Sequence, residues 1–304
     1  MNNAEFSLLV RADCEATGHA IADAALGERA TRGLAEIAVR SGLKTTLLVI
    51  PTDLEASPAL YREMEQSGHE VGLHVHPADQ GYEEFLGVYG PDMQRRIIDE
   101  AALRFAQIMG RRPHSICIGY GSANDYTYPV FTELGFTHGH ISIPSRILPE
   151  CASVWAGAPL DVHYAHPYNR ILTGTLDFVE IPQTLDPESR MWGGKHPQDL
   201  RVELVDAKNH WYTTSKAVER QLRDDVPVKL IHIVTHNTFE FGSPADFRQQ
   251  TLLKMIEHAI DIVTSKGGTV RAATMADVAM AFRQAKPLGQ TQDVKLRLDT
   301  RGRQ

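Results

Sequence analysis

The sequence predicts an α/β fold built on a parallel sheet, and three observations carry that reading. Short apolar runs alternate with amphipathic segments about seven times, the pattern of repeated strand–helix units. The run VKLIHIVTH (228–236) is nearly continuous in apolar residues, as a strand covered on both faces requires. Polar residues stand just after the ends of the apolar runs: Asp13, His74, His76, Tyr120 and His236. A parallel sheet of this kind is either closed as a barrel or open and doubly wound. No glycine-rich phosphate loop follows the first strand, so a dinucleotide fold has no support. In a barrel the strand ends meet on one face, where active sites lie.

In chain order, FSLLVRA (6–12) is a strand, and the 3.6-residue periodicity of 24–42 predicts a helix closed by Gly42. KTTLLVI (44–50) is a second strand, followed by a helix over 57–68 with Pro58 suited to its first turn. HEVGLHVH (69–76) is a third strand, 91–109 a long amphipathic helix and HSICIGY (114–120) a fourth strand. A short helix at 127–135 leads to the strand FTHGHISI (136–143). From about 142 to 215 the pattern breaks down into Pro-, Gly-, His- and Trp-rich sequence with one clear strand, LDFVEIP (176–182). Order returns with 228–236, a helix over 247–268, the strand TVRAAT (269–274) and a helix over 275–285. A single domain over 1–285 is therefore expected, followed by a polar, aperiodic extension over 286–304.

Composition narrows the partners. A formal net charge of −7 argues against a nucleic-acid backbone or an anionic membrane, since both reward a basic face. Three cysteines without paired spacing do not form a disulfide framework. The N-terminal apolar run ends in charges and reads as a strand, not a signal peptide, and no window is long and apolar enough for a membrane span. A cytoplasmic protein is expected. The sequence neither requires nor excludes a homo-oligomer.

The stretch GHEVGLHVHP (68–77) holds the densest chemistry. A helical His-Glu-x-x-His zinc motif needs histidines four apart. Here His69 and His74 are five apart, so that reading fails. As a strand, period two puts Glu70, Gly72, His74 and His76 on one face and His69 on the other. His74 and His76 can then converge on one ion; the alternative is a pair of solvated strand-end histidines. Asp13 and Glu15, one residue apart, can both face the strand ends while Cys14 faces away. Together they supply a third ligand and a separate base, or, in the alternative, a capping turn for the next helix. His232 and His236 share a face four residues apart, so only His236 reaches the strand end.

In this order, RADCEA, GHEVGLHVHP, IGYGSANDYTYPVFTELGF and IHIVTHN resemble the polysaccharide deacetylase superfamily. The resemblance extends over about 6–282. It implies a distorted (β/α)7 barrel with its active site at the C-terminal ends of the strands. It also implies hydrolytic removal of an acyl group from nitrogen with a divalent metal, zinc being the favoured ion. Carried over by motif, Asp13 matches the general base, Glu15 the acidic ligand, His74 the first histidine ligand and His236 the general acid. Tyr120 and Gly121 match the backbone segment that helps hold the oxyanion. Two departures stand out. Ala78 occupies the usual second-histidine position, so His76 must substitute, Asp79 being the weaker candidate. Cys117 replaces the arginine that tethers the base; Arg11, two residues before Asp13 on the same strand face, is our candidate for the missing guanidinium. The expected partner is a small N-acyl substrate of amino-sugar type. The alternatives are a hydrolase of linear or cyclic amides and an inactive carbohydrate-binding relative. Trp155, His163, Tyr164, His166 and Trp192 are candidates for shaping the substrate pocket.

Overall fold

The apolar run at the N-terminus becomes the central strand of the molecule. The computed structural model describes residues 4–294. Strand β1 (Glu5–Cys14) is buried over all but its first residue. Along one side it pairs in parallel with β12 (Lys229–His236), from Phe6↔Lys229 to Asp13↔His236. Its other neighbours, also parallel, are β13 (Thr269–Ala272) beside Glu5–Leu8 and β2 (Thr45–Val49) beside Val10–Cys14. From β2 the sheet continues in parallel through β3 (Glu70–Val75), β4 (Ser115–Ile118), β5 (His138–His140) and β9 (Val179–Glu180). An antiparallel β8 (His163–Tyr164) closes that edge. The fold is the expected α/β barrel in distorted form: the sheet curls, and no ladder joins β9 to β12. Irregular chain fills the gap. Val202 N–H donates to Val234 O, Val234 N–H to Leu200 O, and His232 N–H to Thr184 Oγ1.

Helices cover the outside. α1 (Ala24–Arg40) is N-capped by Asp23, whose side chain accepts from Leu26 N–H, so Asp13 and Glu15 are free of the capping role. α2 (Pro51–Ala56), α3 (Pro58–Gln66) and α4 (Pro91–Met109) each begin on proline, whose fixed φ and missing N–H suit a first turn. α5 (Thr127–Glu133), α6 (Ala207–Arg223), α7 (Phe247–Ser265) and α8 (Met275–Ala285) complete the layer. α8 starts with a reciprocal capping box between Thr274 and Asp277.

The middle of the chain is more structured than its composition predicts. It forms a hairpin of β6 (Ile147–Leu148) and β7 (Ser153–Val154) and another of β10 (Leu185–Met191) and β11 (His196–Asp199). The clear strand expected at 176–182 is only two residues long. Of the polar extension, the described part lies against the barrel: Val294 N–H donates to Thr173 O and Thr175 Oγ1 to Asp293 Oδ1. Residues 295–304 lie outside the described region. No helix among the described residues is long and apolar enough to cross a membrane.

Candidate active site

Strand register decides which polar side chains meet. Asp13 pairs with His236 at the ends of β1 and β12, and His74 pairs with Cys117 across β3 and β4. These ends open into a cavity of about 340 Å³. Asp13, Glu15, His74, His76, Tyr120, Gly121, His236 and Arg11 all line it. The eight residues given catalytic, ligand, oxyanion and tethering roles from the sequence thus line one cavity.

Glu15, His74 and His76 form a cluster whose donor atoms lie within 4.8 Å of one another. Glu15 Oε2 is 3.2 Å from His74 Nε2 and 2.9 Å from His76 Nε2. Two ligands about 2.0–2.1 Å from a tetrahedral zinc stand roughly 3.3 Å apart, so these separations fit an ion. One carboxylate and two imidazoles are also a fitting donor set, leaving a fourth position open. Burial opposes the charge on Glu15, but the hydrogen bonds with His74 and His76 outweigh it and hold the carboxyl well below its usual range. Burial likewise opposes protonation of His76, yet Glu15 and Glu84 raise it to about 9. His76 Nδ1 is bonded to Glu84, the carboxylate–histidine support typical of metal ligands. Ala78 and Asp79 lie outside the cluster; Asp79 accepts from His19 N–H and Nδ1, both at 2.9 Å.

Glycine is required where His76 seats. A Cβ on Gly119 would fall 2.3 Å from His76 Cε1 and 2.6 Å from Nδ1. Tyr120 follows in the left-handed region at φ 61°, unusual for a non-glycine residue. Two side chains lock this turn: Arg146 Nη1 donates to Tyr120 O at 2.8 Å and Trp155 Nε1 to Gly121 O at 2.8 Å.

Arg11 is 2 % exposed, and its Nη1 lies 2.6 Å from Asp13 Oδ1 and 3.0 Å from Cys117 Sγ. The guanidinium therefore lies beside Cys117, the position at which the resemblance implies an arginine. His236 Nδ1 lies 2.6 Å from Glu203 Oε1. Burial disfavours the imidazolium, but the charge and hydrogen bond of Glu203 raise its pKa above the ordinary value. Sequence reasoning missed Glu203 and Glu84, whose neighbours are set only by the folded loops. It also missed Asn237, although it directly follows His236. Asn237 Oδ1 accepts from Glu15 N–H and Ala16 N–H, and Nδ2 donates to Asp53, pinning the turn that carries Glu15.

The rest of the quoted stretch is structural. His69 Nδ1 takes Thr45 N–H at 3.0 Å, and Glu70 bonds His138, Thr46 and Ala276 N–H at the other end of the strand. His232 is buried with Nδ1 on Pro182 O. Of the five candidate pocket-shaping residues, only Trp192 lines the cavity. Trp155 is buried, His163 bonds Asp161 O, Tyr164 packs on Phe282 and His166 bonds Val294 O. These four hold the long loops together.

The polysaccharide deacetylase family model matches residues 10–139, the segment that carries β1 through β5. No curated protein matches the sequence. Among solved structures, the chain is similar to a protein assigned as a polysaccharide deacetylase from Mycobacterium smegmatis, with 15% identity and a TM-score of 0.63. The match covers 98% of this chain and 96% of that one. A protein so assigned from Pseudomonas aeruginosa PAO1 gives 16% identity and a TM-score of 0.60, covering 93% and 92% of the two chains. PuuE allantoinase gives 15% identity and a TM-score of 0.60, covering 93% and 91%. With the polysaccharide deacetylase sequence signature over 10–139 and the fold of these structures over nearly its whole length, the chain is similar to polysaccharide deacetylases.

Proposed function

We propose that the protein is a metal-dependent amide hydrolase that removes an acyl group from the nitrogen of a small amino-sugar-like compound. The observation that carries this reading is the convergence, in one cavity, of a three-donor cluster, a guanidinium-held aspartate and a carboxylate-held histidine. Glu15, His74 and His76 would hold the metal, with zinc the favoured ion for one oxygen and two imidazole donors. Such an ion, when bound, polarises a carbonyl and lowers the pKa of a nearby water.

The protein's own groups do the proton work. Asp13 takes a proton from the attacking water, and its contact with Arg11 fixes the carboxylate for that task. The backbone at Tyr120 and Gly121 is the wall assigned to the developing oxyanion, where one well-placed donor is worth about 3 kcal/mol. His236 protonates the departing amine, which cannot leave as an amide anion. Glu203 favours the imidazolium that this step requires. The fold shared with PuuE allantoinase gives hydrolysis of linear or cyclic amides as the second reading.

The test is metal analysis of the purified protein, then acetate release from N-acetylhexosamines with and without chelator. One metal per chain and chelator-sensitive acetate release are expected. Turnover confined to linear or cyclic amides would transfer the assignment to the second reading. Stoichiometric metal with no turnover on either class would make the protein a binding relative, and protein that takes up no metal would remove the mechanism.

A further inference from the structure

Beyond the hydrolytic groups, the cavity is lined by two guanidiniums that the reaction does not use, Arg146 and Arg201. Arg146 is 3 % exposed. Its Nε donates to His196 Nδ1 at 3.1 Å and its Nη1 to Tyr120 O at 2.8 Å. Both acceptors are neutral. The first bond makes Nδ1 an acceptor, so His196 carries its proton on Nε2, which faces Asp199 Oδ2 at 3.1 Å. Burial also keeps this imidazole neutral, lowering its pKa. No carboxylate among the described residues lies within ion-pair distance of Arg146. The fully buried Asp199 instead pairs with Arg201 Nη2 at 3.5 Å.

Asp199 pairs with Arg201, and Glu203, whose charge Arg201 also feels, is engaged by His236, so Arg146 is left without an ion-pair partner among the described residues. A buried cation without a counter-ion is costly. The strain shows on Arg146, whose pKa falls to about 9 through burial first and the charge of Arg201 second. Evenly balanced packing would replace such a residue with an apolar one. A guanidinium held by neutral acceptors and presented to a cavity is instead suited to an anion, which it binds through a planar pair of N–H groups. Beside it, Trp192 lines the same cavity and stacks on His196 with ring centroids 4.3 Å apart, offering a flat apolar surface.

We propose that Arg146 and Arg201 form an anion subsite, so that the substrate carries a carboxylate or phosphate group in addition to the scissile amide. This inference rests on the proposed hydrolytic function for its substrate, but not for its binding test. His196 and Asp199 are positioning residues: the neutral imidazole orients Arg146, and the carboxylate orients Arg201.

Two measurements test it. In the first, the metal-loaded protein is titrated calorimetrically with inorganic phosphate and with propionate. Arg146→Met and Arg201→Met are each expected to weaken binding of at least one of these anions tenfold or more, and Arg146→Lys to restore part of it. Equal affinities in wild type and both Met variants, or no binding of either anion, would overturn the subsite. Thermal melting guards the comparison, because Arg146→Met also loses the bonds to Tyr120 O and His196: affinities are compared at a temperature where every variant is folded. In the second, acetate release is compared for N-acetylglucosamine, its 6-phosphate and its 6-carboxylate. At least one charged form should exceed the neutral sugar tenfold in kcat/KM, mainly through KM, and the preferred form identifies the anion. That ratio should collapse toward one in Arg146→Met. Acetate release from none of the three would count against the proposed function, while the anion titration would still decide the subsite.

Discussion

At the scale of single residues, the site is a set of ionisable groups each fixed by a partner. His236 has its pKa raised because Glu203 favours the charged ring more than burial disfavours it. A raised histidine pKa means that the acid form persists to higher pH, and the alkaline limb of kcat/KM reports where it is lost. Glu203→Gln removes the charge while keeping the shape, so that limb should move to lower pH; a pH–rate profile on any turned-over amide reads it. An unmoved limb would show that Glu203 does not control the acid. Replacing His236 itself with Ala should cost on the order of 10²–10⁴-fold in rate, the usual worth of general-acid catalysis. The Glu203–His236 pair also contributes to folding, fully below the ordinary histidine pKa and progressively less as pH rises through the raised value. Arg11 poses a different question, since it is buried against Asp13. Arg11→Met leaves a buried carboxylate without its cation, and breaking a buried pair costs about 3–5 kcal/mol. We expect a large drop in denaturation midpoint together with lost activity. Unchanged rate and unchanged pH profile would end the tethering role.

At the scale of elements, β3 shows how the two proposed ligands come to stand two residues apart. Period two sends Glu70, Gly72, His74 and His76 to one side, and Gly72 is needed there because a Cβ would meet Ser115 Oγ at 2.2 Å. The face is therefore tightly packed at its middle and opens only at its end. That alternation was readable from the sequence, as was the placing of His69 on the opposite face. The supports were not readable. Glu84 lies in the turn after β3 and finds His76 only because the chain doubles back, and Glu203 reaches His236 only because 200–202 pairs with β12. Neither segment has periodicity, since each carboxylate meets its histidine through a single side-chain contact set by the path of a loop. The turn after β4 is equally specific. Gly119→Ala would push a methyl group into the His76 ring, so we expect a folded protein with far weaker metal uptake. Glu84→Gln should lower metal affinity by roughly 10- to 100-fold, the usual effect of removing an outer carboxylate from a ligating histidine. Competition with a chromophoric chelator measures both, and wild-type affinity in Gly119→Ala would show that His76 is not a ligand.

At the scale of the whole molecule, the site is also where the sheet is stitched together. Glu15 follows β1, His74 is the last residue but one of β3 and His76 stands just beyond it, so an ion held by the three would clamp strands separated in the sheet by β2. Asn237, after β12, ties the same turn through Glu15 N–H and Asp53. The alternation of strands and helices made this architecture legible, because each apolar run buries a strand that its neighbours must cover. The irregular closure between β9 and β12 was not, because Thr184, Leu200 and Val202 complete it with single hydrogen bonds that leave no pattern. A clamp at such a junction should register in global stability. An ion that binds only the folded chain adds RT ln(1 + [L]/Kd), about 2.7 kcal/mol at one hundred times Kd. For a chain of this size each kcal/mol moves Tm by roughly 2–4 °C. Chelator should therefore lower the melting temperature by about 5–10 °C, and added zinc should restore it. The same treatment should leave Glu15→Ala, already without its carboxylate ligand, almost unmoved. An equal chelator effect on wild type and Glu15→Ala would place the stabilising ion elsewhere and break the link between this cluster and the fold.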